Sequence, residues 1–280
     1  MVLDCKELAA KLKAEVRHEV DAMAHKPSLL IVKVGHDPAS EVYVRGKVKD
    51  ADECGIMASV VNVSTSVTET ALIDIIGENM MGKQFSGCIV QLPLPPHISA
   101  YNVSQSVAVF KDADCMHPWN IGDLVIGRQT VPPCTPAGVM RLLEHYSIPV
   151  EGKHCVVVGR SDIVGKPMAS MLLNANGTVT VCHSKTPNLS DFTKAADILV
   201  VAVGKPKIIT ADMVKPGSTV IDVGINRLED GSLCGDVDFE HVKDVAANIT
   251  PVPKGIGLLT RAMLMKNVLE LHKNMGFIYD

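Results

Sequence analysis

At 280 residues the chain is long enough for two compact lobes, given a usual domain size of roughly 150 residues. Lysine and arginine total 27 against 31 aspartate and glutamate, a net charge of −4, so no positive surplus remains to neutralise a polyphosphate backbone and no nucleic-acid partner is expected. A 47% hydrophobic fraction with only 4% aromatic residues predicts an aliphatic α/β core, and no apolar run approaches the roughly 18 residues of a membrane-spanning helix.

The first segment intersperses Asp4, Lys6, Glu7, Lys11 and Lys13 with apolar residues, unlike a secretory signal or a transit peptide, so a cytoplasmic location is expected. Leu8, Leu12, Val16, Val20 and Met23 recur at spacings of three and four, and Asp4 with Glu7 forms a capping-box pattern, which predicts an amphipathic helix. Ser28 to Gly35 reads as strand, Pro38 to Glu53 as helix ending at Gly55, Met57 to Val63 as strand, Thr68 to Met80 as helix and Gly87 to Leu92 as strand. Pro93, Pro95 and Pro96 then break regular structure, and the stretch to Pro132 and Pro133 reads as a loop-rich rim with short helices. A helix from Pro136 leads into a second series of strands: His154 to Val158, Thr178 to Cys182, Asp197 to Val203 and Ser218 to Val223. Short apolar strands alternating with helical segments imply a parallel sheet covered on both faces, and Leu258 to Lys273 reads as a final helix. The eight cysteines contain no CxxC pair and several lie in apolar runs, so reduced, packed thiols and no metal are expected.

Two places carry chemistry. Strand His154 to Val158 opens into Gly159-Arg160-Ser161-Asp162-Ile163-Val164-Gly165 ahead of a helix, where glycine lets the backbone turn sharply toward a pyrophosphate at the helix N-terminus. The spacing is looser than G-x-G-x-x-G, and an ordinary βα connection is the structural alternative. The next strand ends in Cys182-His183-Ser184-Lys185 rather than in the acid usual for NAD, and with Arg160 nearby this favours the 2′-phosphate of NADP. In the first lobe Tyr43 and Lys47, four apart, share a helix face with Ser40 one turn earlier; a lysine held beside a ring and stripped of water becomes a proton carrier near neutral pH, while a solvated helix face is the plainer reading. Gln91 ends a buried strand at the sheet's carboxyl edge, and Asp114 either accepts paired N–H donors from a heterocycle or caps the short helix that follows.

Several blocks in order make the chain familiar: VGHDPASEVYVRGKVKDADECGI, GCIVQLPLP, KDADCMHPWNIG and PPCTPAG, then VVVGRSDIVGKPMA, TVTVCHSKT, VIDVGIN, GDVDF and TPVPKGIGLLTRAML. The chain resembles the methylenetetrahydrofolate dehydrogenase/cyclohydrolase family from Val34 to about Asn267. The resemblance implies a folate-binding catalytic domain over 1–139, a Rossmann-like doubly wound NADP-binding domain over 140–257, and a helix over 258–280 packing back on the first domain. It also implies a homodimer that oxidises methylenetetrahydrofolate with NADP and hydrolyses the methenyl product to formyltetrahydrofolate. Carried over by motif, Tyr43 stacks along the folate, Lys47 transfers protons, Gln91 holds and tunes that lysine, and Asp114 grips the pterin. Val90, Leu92 and the loop Pro253, Lys254, Gly255, Ile256 and Gly257 fall on its folate side; Gly159, Arg160, Ser161, Gly165, Ser184 and Ile225 fall on its cofactor side. The family usually has glycine where Cys115 stands, and in its folate loop Lys254 replaces a glycine and Leu258 a proline. Rival readings are a dehydrogenase without cyclohydrolase activity, a shikimate-like hydroxy-acid dehydrogenase and a non-catalytic NADP-binding scaffold.

Overall fold

The computed structural model describes residues 1–82, 84–128 and 131–279, with side chains except those of Ala39 and residues 276–279. Contacts divide the chain into two compact units, Ala10–Cys134 with Arg261–Asp280 and Met1–Ala9 with Thr135–Thr260.

Helix α1 (Cys5–Asp21) begins at the expected cap: Asp4 Oδ1 accepts the N–H groups of Lys6 at 2.8 Å and Glu7 at 3.0 Å, satisfying two otherwise orphaned donors. The capping box is only half made, because the N–H of Asp4 donates instead to the Tyr146 hydroxyl at 2.7 Å. Leu8, Leu12, Val16 and Val20 are buried as their spacing predicts, and Met23 lies past the helix end.

The first unit contains β1 (Ser28–Val34), α2 (Pro38–Glu53), β2 (Met57–Val63), α3 (Glu69–Met80) and β3 (Gly87–Val90), a parallel sheet in the order β2-β1-β3. Every residue of the central strand β1 is buried, which is why it reads as an unbroken apolar run. Its alternating side chains serve two faces: Leu30, Val32 and Val34 join Leu72, Ile76 and Met80 of α3 in one core, while Lys33 points the other way and pairs with Glu41 of α2. β3 stops at Val90, short of the expected Leu92. The Gln91 N–H makes a last bond to Val32 O at 2.8 Å, and proline at 93 has no donor with which to continue.

After β3 come α4 (Ala100–Ser104), a 3-10 turn at Val109–Lys111 and α5 (Pro118–Val125). The loop between them is anchored deeply. Lys111, fully buried, donates to the carbonyls of Met80 at 2.8 Å and Gly82 at 2.6 Å, satisfying acceptors left over at the end of α3. Asp112 accepts from His117 N and Asn120 Nδ2, both at 2.8 Å.

Helix α6 (Cys134–His145) leads into the second unit, which alternates β4 (His154–Val158), α7 (Gly165–Asn174), β5 (Thr178–Cys182), α8 (Leu189–Thr193), β6 (Ile198–Val201) and β7 (Thr219–Asp222). A small hairpin of β8 (Asn226–Arg227) and β9 (Leu233–Cys234), helix α9 (Phe239–Val242) and strand β10 (Asn248–Ile249) follow. The parallel five-stranded order is β10-β7-β6-β4-β5, so the chain reverses direction across the sheet between β4 and β6, the doubly wound arrangement expected. The N-terminal residues add to this sheet: Val2 bridges Ile249 and Leu3 N donates to Ile249 O at 2.9 Å, which places Met1–Ala9 with this unit.

Helix α10 (Ile256–Tyr279) is longer at both ends than its apolar spacing predicts. Ala262, Met263, Leu264 and Met265 are buried in succession; consecutive helix residues point about 100° apart, so this stretch is covered on more than one side. All eight cysteines are free thiols, and all but Cys234 are buried. Among the described residues no helix is long and apolar enough to cross a membrane.

Candidate active site

In the first unit, α2 starts on a sound cap: Asp37 Oδ1 accepts from Ser40 N at 2.8 Å and Pro38 occupies the first turn. Ser40 is buried, and Tyr43 and Lys47 follow on the same face. Tyr43 keeps 38% of its surface exposed. Lys47 is partly buried, and its Nζ donates to Gln91 Oε1 at 3.0 Å. The Gln91 amide is itself turned by a bond from Nε2 to Leu92 O at 2.6 Å, so its oxygen, not its N–H, faces the lysine. Val90, Gln91 and Leu92 are all half-buried at the end of β3.

Burial pushes the Lys47 ammonium below the ordinary lysine value; Asp114 and Cys134 act against that, and Arg261 adds to it. A neutral hydrogen-bond acceptor in Gln91 gives Lys47 a fixed position without the carboxylate partner that would lock it in the charged form. A lysine whose charged form is disfavoured in this way gives up its proton more readily than an exposed one and can take it back from a neighbouring group.

Asp114 is half-buried, and its Oδ1 accepts from Cys134 N at 3.3 Å, at the start of α6. It does not cap the short helix after it. That position at α5 is held by His117, whose ring accepts from Trp119 N, with Asp112 bracing the preceding turn. Cys115 takes a left-handed φ of 54°, a value glycine adopts freely, and turns the chain between Asp114 and the cap at His117.

Position 114 is fixed from behind by a residue that sequence reasoning missed. Asn267, 1% exposed on α10, donates Nδ2 to Ala113 O at 2.9 Å and Pro132 O at 2.7 Å. A lone amide among Leu264, Met265, Val268 and Leu269 was the available signal, since a buried polar group has to be satisfied.

In the second unit, Gly159 follows β4 at the point where the strand order reverses. Its φ of 129°, and the overlap with Ala202 O that a β-carbon would bring, explain the glycine: the turn lies directly against the chain leaving β6. Ser161 Oγ accepts from Val164 N at 3.2 Å and Gly165 N at 3.3 Å and so shapes the entry to α7. Arg160 and Ser161 are exposed beside it. After β5, His183 N donates to Thr186 Oγ1 at 2.9 Å and Lys185 N to His183 Nδ1 at 3.1 Å, a tight turn that presents Ser184 and Lys185 to solvent. Helix N-terminus, exposed cations and hydroxyls, and no acid at the end of β5 together suit a phosphorylated dinucleotide.

Ile225, 44% exposed, stands on a loop braced by two buried acids that sequence reasoning also missed. Asp222 accepts from Gly224 N, Asp236 N and Val237 N at 3.0, 3.0 and 2.9 Å. Asp236 accepts from Val203 N, Gly204 N and Lys205 N at 2.6, 2.9 and 2.9 Å and from Asn226 Nδ2 at 2.8 Å. The loops after β6 and β7 are thus tied to one carboxylate. Of the loop expected on the folate side, Pro253 and Lys254 are exposed, Gly255 and Ile256 buried and Gly257 half-buried; all five belong to this second unit, whereas Tyr43, Lys47, Gln91 and Asp114 belong to the first.

The chain matches the tetrahydrofolate dehydrogenase/cyclohydrolase catalytic domain over residues 3–114 and the NAD(P)-binding domain of the same name over 133–275. It is 52% identical over 271 residues to the bifunctional protein FolD of Nitrosospira multiformis, covering 96% of this chain and 94% of that one. The crystal structure of the bifunctional enzyme FolD from Campylobacter jejuni superposes with a TM-score of 0.96 at 44% identity, over 98% of this chain and 99% of that one. The Trypanosoma brucei methylenetetrahydrofolate dehydrogenase-cyclohydrolase, solved with NADP cofactor and an inhibitor, gives 0.94 at 37% identity over 99% and 98%. By matched domains, near-complete coverage and superposed fold, the chain belongs to the tetrahydrofolate dehydrogenase/cyclohydrolase family.

Proposed function

We propose that Lys47, oriented by Gln91, is the proton carrier of a bifunctional enzyme that oxidises 5,10-methylenetetrahydrofolate to the methenyl form with NADP+ and hydrolyses that product to 10-formyltetrahydrofolate. The observation that carries the assignment is the Nζ to Oε1 bond of 3.0 Å, which fixes an ammonium beside a neutral amide in a partly buried position. NADP, when bound at the Gly159 turn, supplies the hydride acceptor. Gly159, Ser161 and Gly165 shape the pyrophosphate side, Arg160, Ser184 and Lys185 offer donors to the 2′-phosphate, and Ile225 offers an apolar contact.

On the folate side, Tyr43 stacks along the substrate and Asp114 accepts N–H donors from the pterin. Val90 and Leu92 flank it, and the family resemblance implies a contribution from Pro253 to Gly257. The oxidation needs orientation more than acid catalysis, because the nitrogen next to the bridging carbon stabilises the cation left when hydride departs. Hydrolysis needs a proton moved. Neutral Lys47 takes a proton from water as its oxygen bonds to the methenyl carbon, then returns that proton to N5 as the bond from N5 to that carbon breaks and the remaining hydroxyl proton is released to solvent, leaving the formyl group on N10. We place the enzyme in the cytoplasm as a homodimer whose product serves purine biosynthesis, on the family resemblance.

Lys47→Met tests the division of labour. Cyclohydrolase activity is expected to fall below detection while the dehydrogenase rate, followed by NADPH absorbance, stays measurable. Equal losses in the two assays would remove Lys47 from the proton-transfer role.

A further inference from the structure

Gly46 stands in the interior of α2, where glycine is about 1 kcal/mol worse than alanine, and it is not among the residues with positive φ. Its place is explained by Arg261: a β-carbon at position 46 would overlap Nη1 of that guanidinium and approach Cζ at 3.0 Å. The Arg261 side chain therefore lies against the backbone of α2 one residue before Lys47. It is fixed there by Asp50, only 3% exposed, whose Oδ2 stands 3.0 Å from Arg261 Nε. The other oxygen of Asp50 is taken by Lys13 Nζ of α1 at 2.8 Å, and Lys13 also pairs with Glu53. One buried carboxylate is thus shared by two cations, and positions 43, 47 and 50 share one helix face.

The charged and titratable groups acting on Lys47 are Asp114 on the loop after β3, Cys134 at the start of α6 and Arg261 on α10; its hydrogen-bond partner Gln91 is neutral, and Tyr43 and Asp50 share its own helix face. Arg261 is the cation in that set, and it is held by an ion pair whose carboxylate already serves Lys13.

We propose that Arg261 is a positioning residue of the cyclohydrolase step: seated in the space left by Gly46 and held by Asp50, its guanidinium sets the electrostatic surroundings in which Lys47 exchanges its proton. The inference rests on Lys47 being the proton carrier. A fixed positive charge beside an amine favours its neutral form, the form that accepts a proton from water, and burial of the site limits screening of that charge.

The test is the pH profile of cyclohydrolase kcat for the full chain and for Arg261→Gln, Arg261→Lys and Gly46→Ala, with Lys47→Met as the control for the underlying reading. Without the guanidinium charge, the limb on which activity rises with pH should move upward by about 0.5–1 pH unit, a threefold to tenfold loss on that limb. Arg261→Lys, which keeps the cation, should bring the limb back toward its original place. Gly46→Ala retains every charge and displaces the far end of a flexible side chain, so it should shift the limb in the same direction even where Arg261→Gln folds poorly. An unmoved limb in Arg261→Gln and Gly46→Ala, with activity still abolished by Lys47→Met, overturns the role of Arg261 and leaves Lys47 in place. Cyclohydrolase activity surviving Lys47→Met overturns both.

Discussion

Lys47 and Gln91, 44 residues apart in sequence, meet through a single bond in which the amide oxygen receives the ammonium at 3.0 Å. The choice of an amide over an acid has a measurable consequence. Gln91→Glu would set a carboxylate against Lys47, favour the charged lysine and raise its pKa. Cyclohydrolase activity near pH 7 is expected to fall at least about tenfold, with partial recovery as the pH is raised, whereas Gln91→Ala should lose activity without that recovery. Steady-state rates from pH 6 to 10 distinguish the two; an identical pH dependence in both variants would mean that Gln91 only packs.

Arg160 stands exposed at the turn after β4, with Ser184 and Lys185 exposed after β5. Losing one charge-assisted bond to a phosphate costs about 1.5–3 kcal/mol, or roughly 10- to 150-fold in affinity. Arg160→Ala should weaken NADP by that factor and NAD by less than about twofold, since NAD carries no phosphate there. Titration of both cofactors by fluorescence checks it, and an unchanged affinity ratio would take Arg160 out of the pocket.

Cys115 and Lys254 both hold left-handed backbone, at φ 54° and 71°, where a side chain costs about 1–2 kcal/mol. Glycine relieves that strain but loosens the unfolded chain by about 0.5–1 kcal/mol. Lys254 is exposed, so Lys254→Gly should raise stability by up to about 1 kcal/mol in urea denaturation. Cys115 has no exposed surface, and removing its buried Sγ forfeits packing that offsets the relief, so Cys115→Gly is expected to be neutral or destabilising. A larger gain from Cys115→Gly than from Lys254→Gly would refute this ordering.

Burial raises the Asp222 carboxyl to about 7; the nearby Asp236 charge adds to this, and the three N–H groups that it accepts oppose it. A carboxyl whose folded pKa exceeds its unfolded value contributes stability that is complete below the unfolded pKa and is lost as pH rises through the folded one. Between about pH 4 and 7 this acid should therefore make the protein less stable as the pH increases, by a few kcal/mol at most, each pKa unit being worth about 1.4 kcal/mol. Asp222→Asn should be less stable throughout, because its amide N–H₂ meets a backbone donor, and should show a flatter stability profile from pH 5 to 8. Equal slopes in the two proteins would show that Asp222 stays ionised across this range.

Local pattern was enough for much of the architecture. Strands β1 to β7 were legible as runs of strand-forming residues with turn residues after most of them, and the helix of Tyr43 and Lys47 by its stop at Gly55, because backbone geometry sets the periods of two and 3.6 that burial then selects; the two-residue β10 and the Asp37 cap were not. The Gly159 turn was legible for the same reason: positive φ and close backbone approach demand glycine wherever the partner strand comes from. Strand order, by contrast, was decided by how the sheets closed, and so was the partner of Asp4 N–H, a tyrosine 142 residues away.

The site divides along the same line. Residue type and spacing singled out Lys47, Gln91 and Asp114, but whether a charge is free, paired or shared depends on which distant segments arrive beside it. Only the folded chain brings Asn267 to Ala113, Asp236 to three successive N–H groups after β6, and Arg261 to Asp50 over Gly46. Desolvation and Coulomb energies act through space, so they have no signature in a local window of sequence.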